Sequence, residues 1–133
     1  MQKFQENLAT LENTDGFGNM KLFGESGEVE AGIENKPGSQ GSFRVYYHVS
    51  KKWGGIGPKA AQEALDLFAE HTEDARQNPG KHPNIDRLFE VIEKDVYYAV
   101  RCYPAWRSGE GVFLRLRASA VKALYVEVVL GGN

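Results

Sequence analysis

Residues 58–94, PKAAQEALDLFAEHTEDARQNPGKHPNIDRLFEVIEK, decide the fold class. Pro58 suits the first turn of a helix, where its missing amide hydrogen would have had no partner and its fixed φ is already near helical. Ala61, Ala64, Leu65, Phe68 and Thr72 then recur at spacings of three and four, while Glu63, Asp66, Glu70, Glu73 and Asp74 fall to the solvated side. That stripe predicts one helix from Pro58 to about Arg76, ended by Asn78-Pro79-Gly80. After Pro83 and Asn84, residues Ile85, Leu88, Phe89 and Ile92 repeat it, with Asp86 close to the positive end of the helix dipole. A second helix over about 84–94 follows.

On both sides of this pair the hydrophobic period shortens to two. Met20–Phe23 and Glu28–Ile33 flank the turn residues Glu25-Ser26-Gly27, a hairpin in which Val29, Ala31 and Ile33 share one face. Beyond the polar loop 35–42, the run Phe43-Arg44-Val45-Tyr46-Tyr47-His48-Val49 is rich in β-branched and aromatic residues and reads as a third strand. Val96, Tyr98, Val100 and Cys102 alternate with Tyr97, Ala99, Arg101 and Tyr103, and Pro104 closes that strand. Val112, Leu114 and Leu116, then Leu124, Val126, Val128 and Leu130, predict two more. Phe4, Leu8 and Leu11 predict a short peripheral helix over 3–12. The expectation is a single α+β domain over 1–133, with an antiparallel-rich sheet of about five to six strands and the two central helices packed on one face.

A chain of 133 residues has room for one domain with a core. Hydrophobic residues at 41% and charged residues at 26% exclude a wholly disordered or collagen-like chain. The longest apolar runs, near 96–100 and 124–130, fall far short of the roughly 20 residues that cross a membrane. The first eleven residues lack the basic start and apolar stretch of an export signal. One cysteine, Cys102, cannot form an intrachain disulfide or a cysteine-rich zinc site, and its strand position predicts an inert core thiol. The cytoplasm is the expected compartment.

Net charge is −2, but it is unevenly laid out. Residues 1–35 carry two basic and seven acidic side chains, 36–57 four and none, 58–95 five and nine, and 96–133 five and two. Basic residues thus gather in two segments outside the acidic helical middle, which suits one positive face on a near-neutral molecule.

Three places offer chemistry. The first is HTEDARQNPGKHPNID, residues 71–86, where His71 near one helix end and His82 before the next are candidates for general acid and base. With His48 as a third ring and Glu70, Glu73, Asp74 or Asp86 as a carboxylate, the set would take a divalent metal such as zinc, iron or manganese. The spacing matches no compact ligand signature, and a helix-capping His71 beside a loop His82 explains the same residues. The second place is the glycine-rich basic loop Lys51-Lys52-Trp53-Gly54-Gly55-Ile56-Gly57 before Pro58, whose amides and lysines suit an anion; a permissive turn explains it equally. The loop Asn35-Lys36-Pro37-Gly38-Ser39-Gln40-Gly41-Ser42 suits a ligand wrapped by hydroxyl and amide groups, and an ordinary long turn explains it equally. Its Lys36, together with Lys81, joins Lys51 and Lys52 as candidate ligand-binding cations. The third is the set Tyr97, Arg101, Tyr103, Trp106, Arg107, Phe113, Arg115 and Arg117, a stacking platform with a positive rim of the kind that binds single-stranded nucleic acid, or else aromatics packed under solvated arginines.

Two stretches, ENKPGSQGSFRVYYHV and FAEHTEDARQNPGKHPNIDRLFEVIE, resemble the central blocks of a family of small bacterial proteins known only as a domain of unknown function, over about residues 30–95. The resemblance implies a bacterial cytoplasmic protein with no assigned reaction, and it carries no catalytic residues across. Chemistry alone therefore leads to the expected function: a small anionic molecule bound in a pocket of His48, His71, His82 and a basic loop, with enzymatic turnover and a metal as extensions. The alternative is a noncatalytic module meeting RNA or a partner protein through the basic aromatic sheet face. An open strand edge is compatible with a homodimer.

Overall fold

The structure is a computed structural model and describes residues 3–105. Those residues form an α+β arrangement of five helices and one three-stranded antiparallel sheet: α1 (Lys3–Leu8), β1 (Phe17–Phe23), β2 (Val29–Glu34), α2 (Gln40–Trp53), α3 (Pro58–Phe68), α4 (Glu70–Gln77), α5 (Pro83–Lys94) and β3 (Ala99–Pro104). The order β2-β1-β3 puts β1 at the centre. Met20 lies opposite Ile33 on one side and Cys102 on the other, and Leu22 opposite Ala31 and Val100. This is the inward face the two-residue alternation predicts. The hairpin turn closes through the Gly27 amide donating to Gly24 O at 3.0 Å, with Gly27 at φ 88.

The segment expected as a third strand is instead the heart of α2. Phe43, Val45, Tyr46, Val49 and Ser50 are buried along one helical face. Lys51 and Lys52 occupy the last turn, where cations meet the negative end of the dipole. Gly54, at φ 79, ends the helix in the left-handed conformation, its amide donating to Ser50 O. α2 packs against both β2 and α3, and α3 packs against α5. Met20, Leu22 and Ile33 from the sheet and Phe43, Tyr46, Ile56, Leu65, Phe68, Leu88 and Val91 from the helical layer share one core.

The expected single helix 58–76 is broken in two. Ala69 takes φ 52 and ψ −117, and Thr72 Oγ1 donates to Leu65 O at 2.6 Å across the break. The helix expected over 3–12 is shorter, Lys3–Leu8. Three strands, rather than five to six, are present among the described residues; the strands expected around 112–117 and 124–130 lie outside them. No helix among the described residues is long and apolar enough to cross a membrane.

Candidate functional site

Breaking the helical stripe at Ala69 turns α4 and α5 back so that the α4–α5 loop faces α1 and the start of α2. Between them lies a cleft of about 760 Å³. Phe4, Leu8 and Ala9 line it from α1 and the turn after it, Gln40, Gly41, Ser42 and Arg44 from the start of α2, and Phe68 and His71 from either side of the break. Lys81, His82, Pro83, Asn84 and Ile85, at the entry to α5, complete the wall. The first turns of α2 and α5 therefore both open onto it. First-turn amides have no partner within their own helix, so those of Gly41, Ser42 and Asn84 are donors at a positive dipole end.

The entry to α5 is pinned to α2 from beneath. The fully buried Tyr46 donates its hydroxyl to Asn84 O at 2.7 Å and accepts from Arg87 Nη1 at 3.0 Å, while Arg87 also reaches Asn84 Oδ1 at 2.9 Å. Burial pushes the Tyr46 phenol up to about 12, with Arg87 offsetting part of the effect, so it stays a protonated donor.

His71 and His82 come together, with ring centroids 5.7 Å apart. His82 Nε2 lies 2.6 Å from Asp74 Oδ2, and Lys81 Nζ is 2.9 Å from the same oxygen. The His82 hydrogen bond, then that of Lys81, holds the Asp74 carboxyl down at about 2. An imidazole fixed by a carboxylate through one nitrogen keeps the other for a ligand or proton. Arg44, on the facing wall, makes no ion pair among the described residues.

His48 is not part of this cleft. Its Nδ1 lies 3.8 Å from Glu12 Oε1 and its Nε2 3.4 Å from Glu63 Oε2. Lys51 pairs with Glu12, Lys52 with Glu63 at 3.0 Å, and Trp53 Nε1 donates to Glu63 Oε1 at 2.8 Å. Burial raises the Glu63 pKa, but the Trp53 and Lys52 donors outweigh it and leave it below the ordinary value. Among the described residues, no group of three or more His, Cys, Asp and Glu side chains is arranged to hold a metal. Of the other carboxylates weighed as ligands, Asp86 Oδ2 accepts the Gly80 amide, Glu73 pairs with Arg76, and Glu70 Oε1 accepts the Phe4 amide while its Oε2 is buried without a hydrogen-bond partner among the described residues.

The glycine-rich loop has structural occupations. The Gly54 and Gly55 amides both donate to Ser50 O, and Ile56 exchanges two backbone hydrogen bonds with Tyr98. Gly55 sits at φ 142, and a Cβ there would collide with the Tyr97 ring, whose hydroxyl donates to Gly54 O. Gly57 precedes α3 with its own Cβ position 3.7 Å from Tyr97 Cδ1. Lys36 stands in the turn before α2, where its carbonyl accepts from Ser39 and Gln40. Of the aromatic and basic set, Arg101 and Tyr103 lie on β3 opposite Lys21 and Asn19, with Lys21 Nζ 5.3 Å from the Tyr103 ring centre. Trp106, Arg107, Phe113, Arg115 and Arg117 are outside the described residues. Cys102 is half-buried, and burial lifts its thiol to about 11, which keeps it protonated at neutral pH.

Comparison with known proteins agrees with the resemblance in the sequence. A family model described as "Uncharacterized protein conserved in bacteria (DUF2322)" matches residues 4–102. The chain belongs to the DUF2322 family. The matched span runs from α1 into β3 and contains every residue that lines the cleft, a wider reach than the 30–95 of the resemblance. No curated protein and no solved structure matches.

Sequence reasoning missed Arg44 because it placed 43–49 in a strand; it weighed Gly41 and Ser42 within the loop 35–42, not as the first turn of a helix. The signal was present: Lys51-Lys52 followed by Gly54-Gly55 is a helix ending, and it extends the helical window back through Phe43.

Proposed function

We propose that this member of the DUF2322 family binds a small anion in the cleft between the entries to α2 and α5. One observation carries the proposal: two helix starts, Arg44, Lys81 and the His71–His82 pair line a single hollow of about 760 Å³. Arg44 supplies a charge without a competing carboxylate, the amides of Gly41, Ser42 and Asn84 supply oriented donors, and His82, braced by Asp74, exchanges a proton with the bound group. His48 and the glycine-rich loop drop out of the ligand set, since none of them lines the cleft.

Titration of the ¹⁵N-labelled protein with inorganic phosphate tests the proposal. Amide shifts concentrated at Gly41, Ser42 and Asn84 are expected, and Arg44→Ala weakens binding about tenfold, the usual scale for one charge-assisted hydrogen bond. Shifts scattered over the surface lysines, or an affinity indifferent to Arg44→Ala, would remove the cleft as the site.

A further inference from the structure

The cleft has a direction in its polarity. Phe68 stacks on Phe4 with ring centres 5.4 Å apart, and the Phe4 ring meets His71 edge-on at 4.8 Å. His71 in turn lies 5.7 Å from His82, which bonds to Asp74 at 2.6 Å, which pairs with Lys81 at 2.9 Å. Contacts thus pass from two phenyl rings through two imidazoles to an ion pair. Leu8, Ala9 and Ile85 extend the apolar end. Gly41 lets α1 come this close: a Cβ there would stand 3.0 Å from Phe4 Cζ and 3.4 Å from Leu8 Cδ1.

An inorganic oxyanion uses only the polar end of such a space. The volume falls within the roughly 300–1,000 Å³ of small-molecule sites. Phe4 and Ile85 are already buried, at 8% and 2% exposure, and a bare anion would leave the more exposed Leu8 and Ala9 beside them in water. We infer, resting on the anion-binding reading above, that the ligand is an organic anion: a compact oxyanion head at His82, Lys81 and Arg44, joined to an apolar aryl or short acyl body lying on Leu8 and Ala9 against the edge of Phe4. Apolar area removed from water on that wall adds to affinity without further charge.

Three probes test this on the full chain by NMR: inorganic phosphate, phenyl phosphate and benzoate. Phenyl phosphate binds at least about tenfold more tightly than inorganic phosphate, a gain of the size expected from burying part of one ring. Its ring protons give intermolecular NOEs to the Phe4 and Leu8 side chains in the unmodified protein. Leu8→Gln brings the ratio of phenyl phosphate affinity to inorganic phosphate affinity close to one. The benzoate arm decides the head group, a carboxylate if benzoate binds more tightly than phenyl phosphate and a phosphate if it binds less. Phosphate binding with no gain from the phenyl group, or a gain without NOEs to Phe4 or Leu8, overturns the inference while the anion site stands. No binding by any of the three overturns both.

Discussion

Asp74 shows how much one side chain arranges. Its carboxylate takes a hydrogen bond from His82 and an ion pair from Lys81, two residues that line the cleft, and so fixes the ring and the ammonium in its wall. Those partners lower its pKa from 3.8 to about 2. A carboxyl depressed on folding contributes stability that is fully present above its unfolded value and is lost as pH falls through its folded value. Asp74→Asn therefore lowers the melting temperature at pH 7, and its deficit against the parent shrinks as the pH is taken from about 4 towards 2. Thermal melts across that range check it, and a deficit independent of pH would show that the ion contacts are not its source. The closeness of His71 and His82 was expected from sequence, but with His71 at the end of an unbroken helix; it stands instead in the first turn of α4, and the short α4 and the turn after it bring the chain back to His82. The role of Arg44 was not expected, since it depends on which secondary structure carries the residue.

At the scale of elements, two departures built the site. Seven residues, Phe43 to Val49, satisfy both periods: alternation aligns Phe43, Val45, Tyr47 and Val49, and the helical turn aligns Phe43, Tyr46 and Val49. The structure buries Tyr46 completely and leaves Tyr47 half-exposed, the helical choice, because the core needs the Tyr46 hydroxyl beneath α5. The second departure is the break at Ala69, which no glycine or proline announces. A side chain at φ 52 and ψ −117 carries backbone strain that glycine does not. The contacts around it hold it there: Thr72 bonds Leu65 O, and Asn7 Nδ2 from α1 donates to Leu67 O at 3.0 Å. Ala69→Gly is expected to raise unfolding stability by about 1 kcal/mol, the size of a relieved positive-φ strain. Urea unfolding measures this, and a loss of stability would place Ala69 in an ordinary helical conformation.

For the described residues as a whole, the loop 54–57 joins α2 to α3 and is hydrogen-bonded to the segment that leads into β3. Gly54 ends α2, Ile56 pairs with Tyr98 ahead of β3, and the Tyr97 ring covers Gly55. Gly55→Ala combines a clash against Tyr97 with a disfavoured φ of 142 and is expected to cost about 2 kcal/mol. Adding Tyr97→Ala relieves the collision but not the backbone term, so the double variant recovers only part of the loss. Full recovery, or no loss in the first place, would mean that the loop does not need its glycine conformation.

The α+β class, the β1–β2 hairpin, and the inward Ala31 and Ile33 of β2 and Val100 and Cys102 of β3 were legible in the chain, because period-two and period-3.6 burial patterns and turn residues act over a few neighbours; Val29, expected on the same face, is exposed at the start of β2. Family membership was legible too, through the wording of whole stretches. That 43–49 is helical, that the helix after Pro58 breaks at Ala69, and that His48 belongs to the Glu12–Glu63 ion cluster while Arg44 lines the same cleft as His71 and His82 emerged from the folded chain alone. Each of these turns on contacts between residues distant in the chain, where one buried hydroxyl or one borrowed carbonyl outweighs local preference.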